Sequence, residues 1–285
     1  DIWIQTLVLT DAQARAIEAG LRDSLHQRRR SYVYDHFHDN CTTRIRDLID
    51  DAIGGALRAG SRGAHPLTYR ELGKGGLAEL PPLIAVADFF LGRALDERPT
   101  IWEAMFHPAV LRRQLELQLG VVSRVEHART QAPFALEGPT GRVPLLVIAL
   151  ASTMVLLAAS WRRRFEKPAR IVATLYPGTW GLIVWALVAL SPIAGLRWNE
   201  AALVVMPFDL AIPWLSSARA ARYAQIRVAG VLAVAALCAA GVLLQPLWIP
   251  ILTAILPLST VAFGARLRRA SDRQSAGGRP AGSAA

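Results

Sequence analysis

The sequence predicts an α+β, mostly helical domain over residues 1–120, followed by an all-α membrane domain of four to five transmembrane helices. Apolar residues are interleaved with charges up to about residue 142 and run almost uninterrupted after it. The hydrophobic share of 53% is high for a water-soluble chain, and the excess lies in the second half. Lys and Arg of that half gather in alternate connecting segments, as the positive-inside rule leads one to expect of a multi-pass protein.

Taken in order, Ile2-Trp3-Ile4-Gln5-Thr6-Leu7-Val8-Leu9 mixes β-branched and apolar residues in rough alternation and reads as a strand. Thr10 and Gln13 form a capping box. Ala14, Ile17, Leu21 and Leu25 then mark one face of a helix that ends in Arg28-Arg29-Arg30, where cations suit the dipole. A second amphipathic helix, with Ile45, Leu48, Ile49, Ala52 and Ile53 on one face, runs from about Cys41 to Ala52 and stops at Gly54-Gly55. Residues 54–76 read mostly as loop. Leu83 to Leu91 is a short apolar helix or buried segment containing Asp88. Thr100 and Glu103 cap a further helix, whose Trp102, Met105 and Phe106 are either an acyl-chain or membrane stripe or ordinary core; a break at Pro108 and another helix through Leu119 follow. Residues 121–142 read as a linker.

The membrane half offers spans at 143–161, 171–190, 201–215, 228–244 and 248–264, with a disordered basic cytoplasmic tail over 265–285. The third is the weakest, because it is short and carries Pro207, Asp209 and Pro213; it could be a broken or re-entrant helix packed among the others. Basic residues follow span one (Arg162, Arg163, Arg164, Lys167, Arg170), span three (Arg219, Arg222, Arg227) and span five (Arg266, Arg268, Arg269, Arg273, Arg279). This places them in the cytoplasm and residues 1–142 outside it, in a multi-pass membrane protein. The net charge of +10 is therefore largely a topology signal. No basic stripe with interleaved aromatics points to nucleic acid.

The chemistry-bearing residues concentrate between Tyr32 and Asp47. Of the two cysteines, Cys238 lies inside an apolar run, so a disulfide with Cys41 is sterically implausible and Cys41 is a free thiol in a polar setting. Asn40 is a good N-cap, which puts Cys41 in the first helical turn, where free backbone N–H groups and the dipole stabilise a thiolate. Two readings stand: a nucleophile, or a structural cysteine beside a cap. A nucleophile needs a base, and His36 and His38, two apart in a segment read as extended, share one face. Asn40 or first-turn N–H groups could serve an oxyanion. Arg44 and Arg70 are head-group or phosphate contacts, or else salt-bridge partners. Metal ligation is not expected, because one cysteine and two close histidines lack a recognised spacing. No cofactor motif occurs.

The run Tyr-x-Tyr-Asp-x-Phe-x-Asp-Asn-Cys-Thr-Thr-Arg-x-Arg-Asp, Tyr32 to Asp47, resembles the Lnb-like family of bacterial envelope proteins, whose namesake is a lipoprotein N-acyltransferase. Leu7-Val8-Leu9-Thr10, Thr68-Tyr69-Arg70, the Asp88 to Pro99 segment and Trp102 to Pro108 extend the resemblance over about residues 1–118. It implies a permuted papain-like, lecithin:retinol acyltransferase-like thiol fold with Cys41 catalytic. It also implies an acyltransferase working through a thioester on membrane phospholipid and a lipoprotein substrate. The family's histidine is expected in an upstream Gly-His-x-x-x-Arg strand that this sequence does not contain. Either the chain lacks the family's N-terminal portion and the domain is incomplete, or His36 or His38 substitutes, or the protein is inactive. An envelope cysteine peptidase or amidase and an inactive membrane scaffold are the alternatives.

Overall fold

The computed structural model describes residues 1–26, 31–75, 77, 80–128, 130, 136–137, 142–160 and 166–277. The chain divides into two compact units, Asp1–Glu79 with Glu97–Pro139, and Leu80–Asp96 with Thr140–Ala285. The first domain was expected to be continuous to residue 120. Instead it is interrupted, and residues 80–96 belong to the apolar unit.

In the first unit, β1 (Ile2–Gln5) pairs antiparallel with β2 (Ser123–His127), Trp3 opposite Val125 and Gln5 opposite Ser123. The linker expected over 121–142 therefore begins as a strand. Gln5 Nε2 donates to Arg112 O and Ser123 Oγ, both at 3.0 Å, and the Arg112 guanidinium lies 3.9 Å from the centre of the Trp3 ring. α1 (Asp11–Ser24) carries the expected Thr10–Gln13 box. It closes at Leu25; the expected basic end, Arg28 to Arg30, lies outside the described residues. α2 (Cys41–Ala52) stops where Gly54 and Gly55 take φ of 74° and 83°, a left-handed backbone that favours glycine. α1 crosses it at Gly20, where a Cβ would come 2.4 Å from Leu48 Cδ1.

The stretch read as loop over 54–76 holds two helices, α3 (Ala56–Ala59) and α4 (Tyr69–Gly75). Neither has the length to show a periodicity. Burial of Leu57 and Leu72 fixes them instead. α6 (Ile101–Ala104) keeps its Thr100–Glu103 box, and α7 (Pro108–Leu119) starts on a proline that fits the first helical position. Between them Met105 and Phe106 are fully buried, so they are core and not an exposed acyl or membrane stripe.

The second unit contains α5 (Pro81–Phe90), α8 (Arg142–Ser160), α9 (Glu166–Leu190), α10 (Ala194–Arg197), α11 (Ser217–Ala239) and α12 (Trp248–Gly277). Among the described residues two helical stretches, Lys167–Leu190 and Ser217–Ala239, are long and apolar enough to cross a membrane, against the four or five expected; Leu146–Ala158 and Trp248–Gly264 are shorter apolar stretches. The third expected span, 201–215, is two short 3-10 segments, Glu200–Leu203 and Pro207–Trp214. The prolines deny it a continuous hydrogen-bond ladder. Asp209 at its middle is fully buried against Arg227, which donates from Nε at 3.0 Å and Nη2 at 3.1 Å; Tyr223 Oη adds a third bond at 2.8 Å.

Arg219, Arg222 and Arg227, counted above as a cytoplasmic loop, therefore sit on α11, and Arg227 is an internal counter-ion. The 3-10 segment presses on α9 through Gly178 and Gly181, where a Cβ would meet Leu210 at 2.5 Å and the Met206 carbonyl carbon at 2.6 Å. α11 and α12 close around Val228, Val231, Ile251 and Leu258. α12 continues to Gly277, so residues 265–277 are helical backbone where a disordered tail was expected. Arg162, Arg163 and Arg164 lie outside the described residues.

Candidate active site around Cys41

Cys41 is the first residue of α2 and is exposed. Asn40 caps the helix through its Oδ1, and its Nδ2 is engaged as well. Its Oδ1 accepts from the Thr42 and Thr43 amides at 2.8 and 2.9 Å, while its Nδ2 donates to His36 O at 2.8 Å and Phe106 O at 3.1 Å. Thr43 Oγ1 accepts from the Asn40 amide in return, at 2.8 Å. Asn40 is thus a buried cap whose two amide hydrogens are both taken. The Arg44 amide is taken by Asn40 O, so within the first turn the Cys41 N–H is the donor left without an acceptor among the described residues. That donor lies next to the sulfur.

The histidines do not sit as expected. Asp35 and Asp39 bond each other's backbone in an isolated bridge, and Asp35 Oδ1 accepts from the Phe37 and His38 amides, both at 2.9 Å. Residues 35–39 are therefore a tight turn stabilised by an aspartate side chain, where an extended segment was expected. His36 faces Phe37 edge-on at 4.9 Å between ring centres, and its Nδ1 meets Tyr34 Oη at 3.4 Å. His38 faces Tyr69 at 5.7 Å. Neither hydrogen-bonds Cys41, whose Sγ lies 4.0 Å from Thr42 Oγ1.

Beneath the turn Phe37, Tyr69 and Phe106 form an aromatic core, with Phe37 to Phe106 at 5.0 Å and Phe37 to Tyr69 at 5.5 Å. Burial first, then the carboxylates of Glu103 and Glu97, pushes the Tyr69 phenol up to about 12. His107, beside Phe106, belongs to this layer. It caps α7 by accepting from the Ala109 amide at 3.2 Å, and burial, with smaller contributions from His36 and His65, takes it down to about 4. It is a neutral imidazole at physiological pH. The position directly before Pro108 was the signal for that cap.

The arginines are both engaged. Arg44 makes a bidentate pair with Asp39, Nε to Oδ1 at 2.8 Å and Nη2 to Oδ2 at 3.0 Å, and its guanidinium lies 3.6 Å from the Tyr32 ring centre. Its hydrogen bond to Asp39 holds it above its ordinary range. Arg70 is 2% exposed and already partnered. Arg46, buried, lies 4.1 Å from the Trp102 ring centre and donates to Trp102 O at 3.0 Å, tying α2 to α6. Among the described residues no cluster of His, Cys, Asp and Glu is arranged to hold a metal.

Residues 1–75 match the family model of the Lnb N-terminal periplasmic domain. The match supports the Lnb-like resemblance for the segment that carries Cys41, and it ends before the segments at 88–99 and 102–108. No curated protein and no solved structure matches the chain. A periplasmic-domain match at the N-terminus and two long apolar helices are consistent with a bacterial membrane protein whose N-terminal domain is extracytoplasmic.

Proposed function

We propose that Cys41 is the nucleophile of a membrane-bound acyltransferase that N-acylates the amino terminus of bacterial lipoproteins with a chain taken from phospholipid, in a multi-pass inner-membrane protein. The observation that carries this reading is an exposed thiol at the first position of a capped helix, with its own N–H lacking an acceptor among the described residues, inside the Lnb-like segment. The sulfur attacks the ester carbonyl, forming a C–S bond and an oxyanion that the Cys41 N–H receives. Collapse breaks the C–O bond, the departing alkoxide takes the proton lost by the thiol, and a thioester remains. A free α-amine then attacks the thioester carbonyl, the amide forms, the C–S bond breaks and the thiol is restored.

His36 is the base assigned here. Its Nδ1 makes a long contact with Tyr34 Oη, and its carbonyl is bonded to the Asn40 cap that holds Cys41. The proton passes from sulfur to His36 and on to the leaving oxygen. The test is the purified chain in vesicles with labelled phospholipid and a diacylglyceryl lipopeptide. Label should move to the lipopeptide amine through a hydroxylamine-sensitive adduct on Cys41, and Cys41→Ala should abolish both. Release of free fatty acid or peptide without transfer would replace this reading with a hydrolase.

A second reading, an inactive scaffold, draws on the missing hydrogen bond between either imidazole and Cys41. It requires Cys41→Ala to behave as wild type in cells.

A further inference from the structure

We propose that α5 is embedded in the lipid bilayer as a short, non-spanning helix whose outer side chains, Leu80, Leu83 and Val86, meet hydrocarbon. It comes from the half of the sequence read as extracytoplasmic, yet it belongs to the apolar unit. At ten residues it is about 15 Å long, half the roughly 30 Å hydrocarbon thickness, so it cannot cross. Its inner face is ordinary core, with Ile84 and Phe89 each 2% exposed and Phe89 packed on Val184 and Val205. Its outer face is apolar as well: Leu80, Leu83 and Val86 are 52%, 45% and 41% exposed on successive turns. Asp88, the only ionisable residue of the helix, is half-buried and partnered. A helix apolar on both faces is buried in protein or in lipid, and protein covers one face here.

The helix end carries an independent signature. A helix that ends in water leaves its last carbonyls to solvent, but in hydrocarbon each must be satisfied internally. Here Asn199 Nδ2 donates to Phe89 O at 3.0 Å and to Phe90 O at 2.9 Å, and Gln245 Nε2 donates to Leu91 O at 2.8 Å. Both amides are 5% exposed. The chain beyond is closed in the same way, Gly92 N to Gly195 O at 2.6 Å and Arg93 N to Trp198 O at 2.8 Å. The apolar exterior is also continuous with that of a candidate span. Phe90 stacks on Trp180 of α9 at 4.8 Å, and α9 itself leaves Leu175, Leu182 and Ile183 uncovered.

The proposal rests on the membrane reading of this unit, and the experiment separates the two. The full chain, with Cys41→Ser and Cys238→Ala, receives one new cysteine at Leu83, Val86, Leu182 or Val33. Each protein carries an environment-sensitive fluorophore in phosphatidylcholine and phosphatidylglycerol vesicles. Doxyl-labelled lipid should quench the probe at 83 and 86 as strongly as at Leu182 on α9, and several-fold more than at Val33 in the cysteine unit; a membrane-impermeant maleimide should spare 83 and 86. Quenching at 182 but not at 83 and 86 overturns the proposal. Fast maleimide reaction there means water, and slow reaction without quenching means a protein cover such as a second copy. Absence of quenching at 182 overturns the membrane reading as well.

Discussion

Replacing Asp209 with asparagine removes the charge that Arg227 is folded around. The carboxylate is 0% exposed and accepts three hydrogen bonds, two from the Arg227 guanidinium and one from Tyr223. Asparagine keeps the shape but leaves a guanidinium, 9% exposed at its side chain, without a counter-charge. Breaking one side of such a pair costs about 3–5 kcal/mol, because the remaining ion stays desolvated. For a unit of this size each kcal/mol moves the midpoint by roughly 2–4 °C, so the variant should melt on the order of 10 °C lower. Arg227→Met should cost a similar amount and also orphan Val204 O, to which Nη2 donates at 2.5 Å. In the double variant Asp209→Asn with Arg227→Met no uncompensated charge is left, so it should recover about 2–3 kcal/mol relative to additivity. The assay is thermal or SDS-driven unfolding of the four proteins in one detergent, followed by tryptophan fluorescence. Single variants within about 1 kcal/mol of wild type, or a strictly additive double variant, would refute the reasoning that the pair clamps the 3-10 segment to α11.

Gly181→Ala places a methyl 2.6 Å from the Met206 carbonyl carbon, a backbone atom that cannot rotate away, and should cost about 1–3 kcal/mol by the same unfolding assay. Asn40→Ala should destabilise the cysteine unit by about 2 kcal/mol, since the cap and two further carbonyl bonds vanish together; Asn40→Asp, which keeps the acceptor, should lose less, read by chemical denaturation. His107 has a folded pKa of about 4, below the ordinary 6.5, so the unfolded chain binds the extra proton between those values. Its contribution, about 3 kcal/mol at most, is fully present above pH 6.5 and is lost as pH falls towards 4; His107→Gln should flatten that slope in denaturation curves taken across the window. Above pH 10, deprotonation of an unfolded Tyr69 removes stability in the opposite direction, and Tyr69→Phe should abolish that loss.

What could be read from the sequence was what neighbours in the chain decide. The Thr10, Asn40 and Thr100 caps form where short-range hydrogen-bond chemistry puts them, and Gly54 and Gly55 end α2 because their backbone is left-handed. Cys41 at the helix start follows from the Asn40 cap alone. Long-range pairing was not readable. β2 gains strand character from β1, more than a hundred residues away, and α3 and α4 are too short to announce themselves except by burying Leu57 and Leu72. The histidines were misplaced because Asp35 closes a turn that an alternation argument does not see. Arg227 misled in a different way, since counting basic residues assumes that each faces water, whereas this one faces Asp209.

The departure of residues 80–96 from the cysteine unit has a practical consequence for anyone wishing to work with that unit alone. A truncation at Pro139, the obvious place to cut, would retain α5 but remove Asn199, Gln245, Gly195 and Trp198, the groups that bind its last carbonyls and the amides after it. Ile84 and Phe89 would be stripped of their packing at the same time. Such a polypeptide should aggregate or demand detergent for a reason unconnected with the fold around Cys41. Excising the segment is the better route, because both cut ends belong to one unit: the Glu97 carbonyl already accepts from the Tyr69 amide at 3.2 Å, at the head of α4. A glycine-serine bridge from residue 77 to residue 97 should give a cysteine unit freed of α5, and thiol labelling in buffer without lipid would check it.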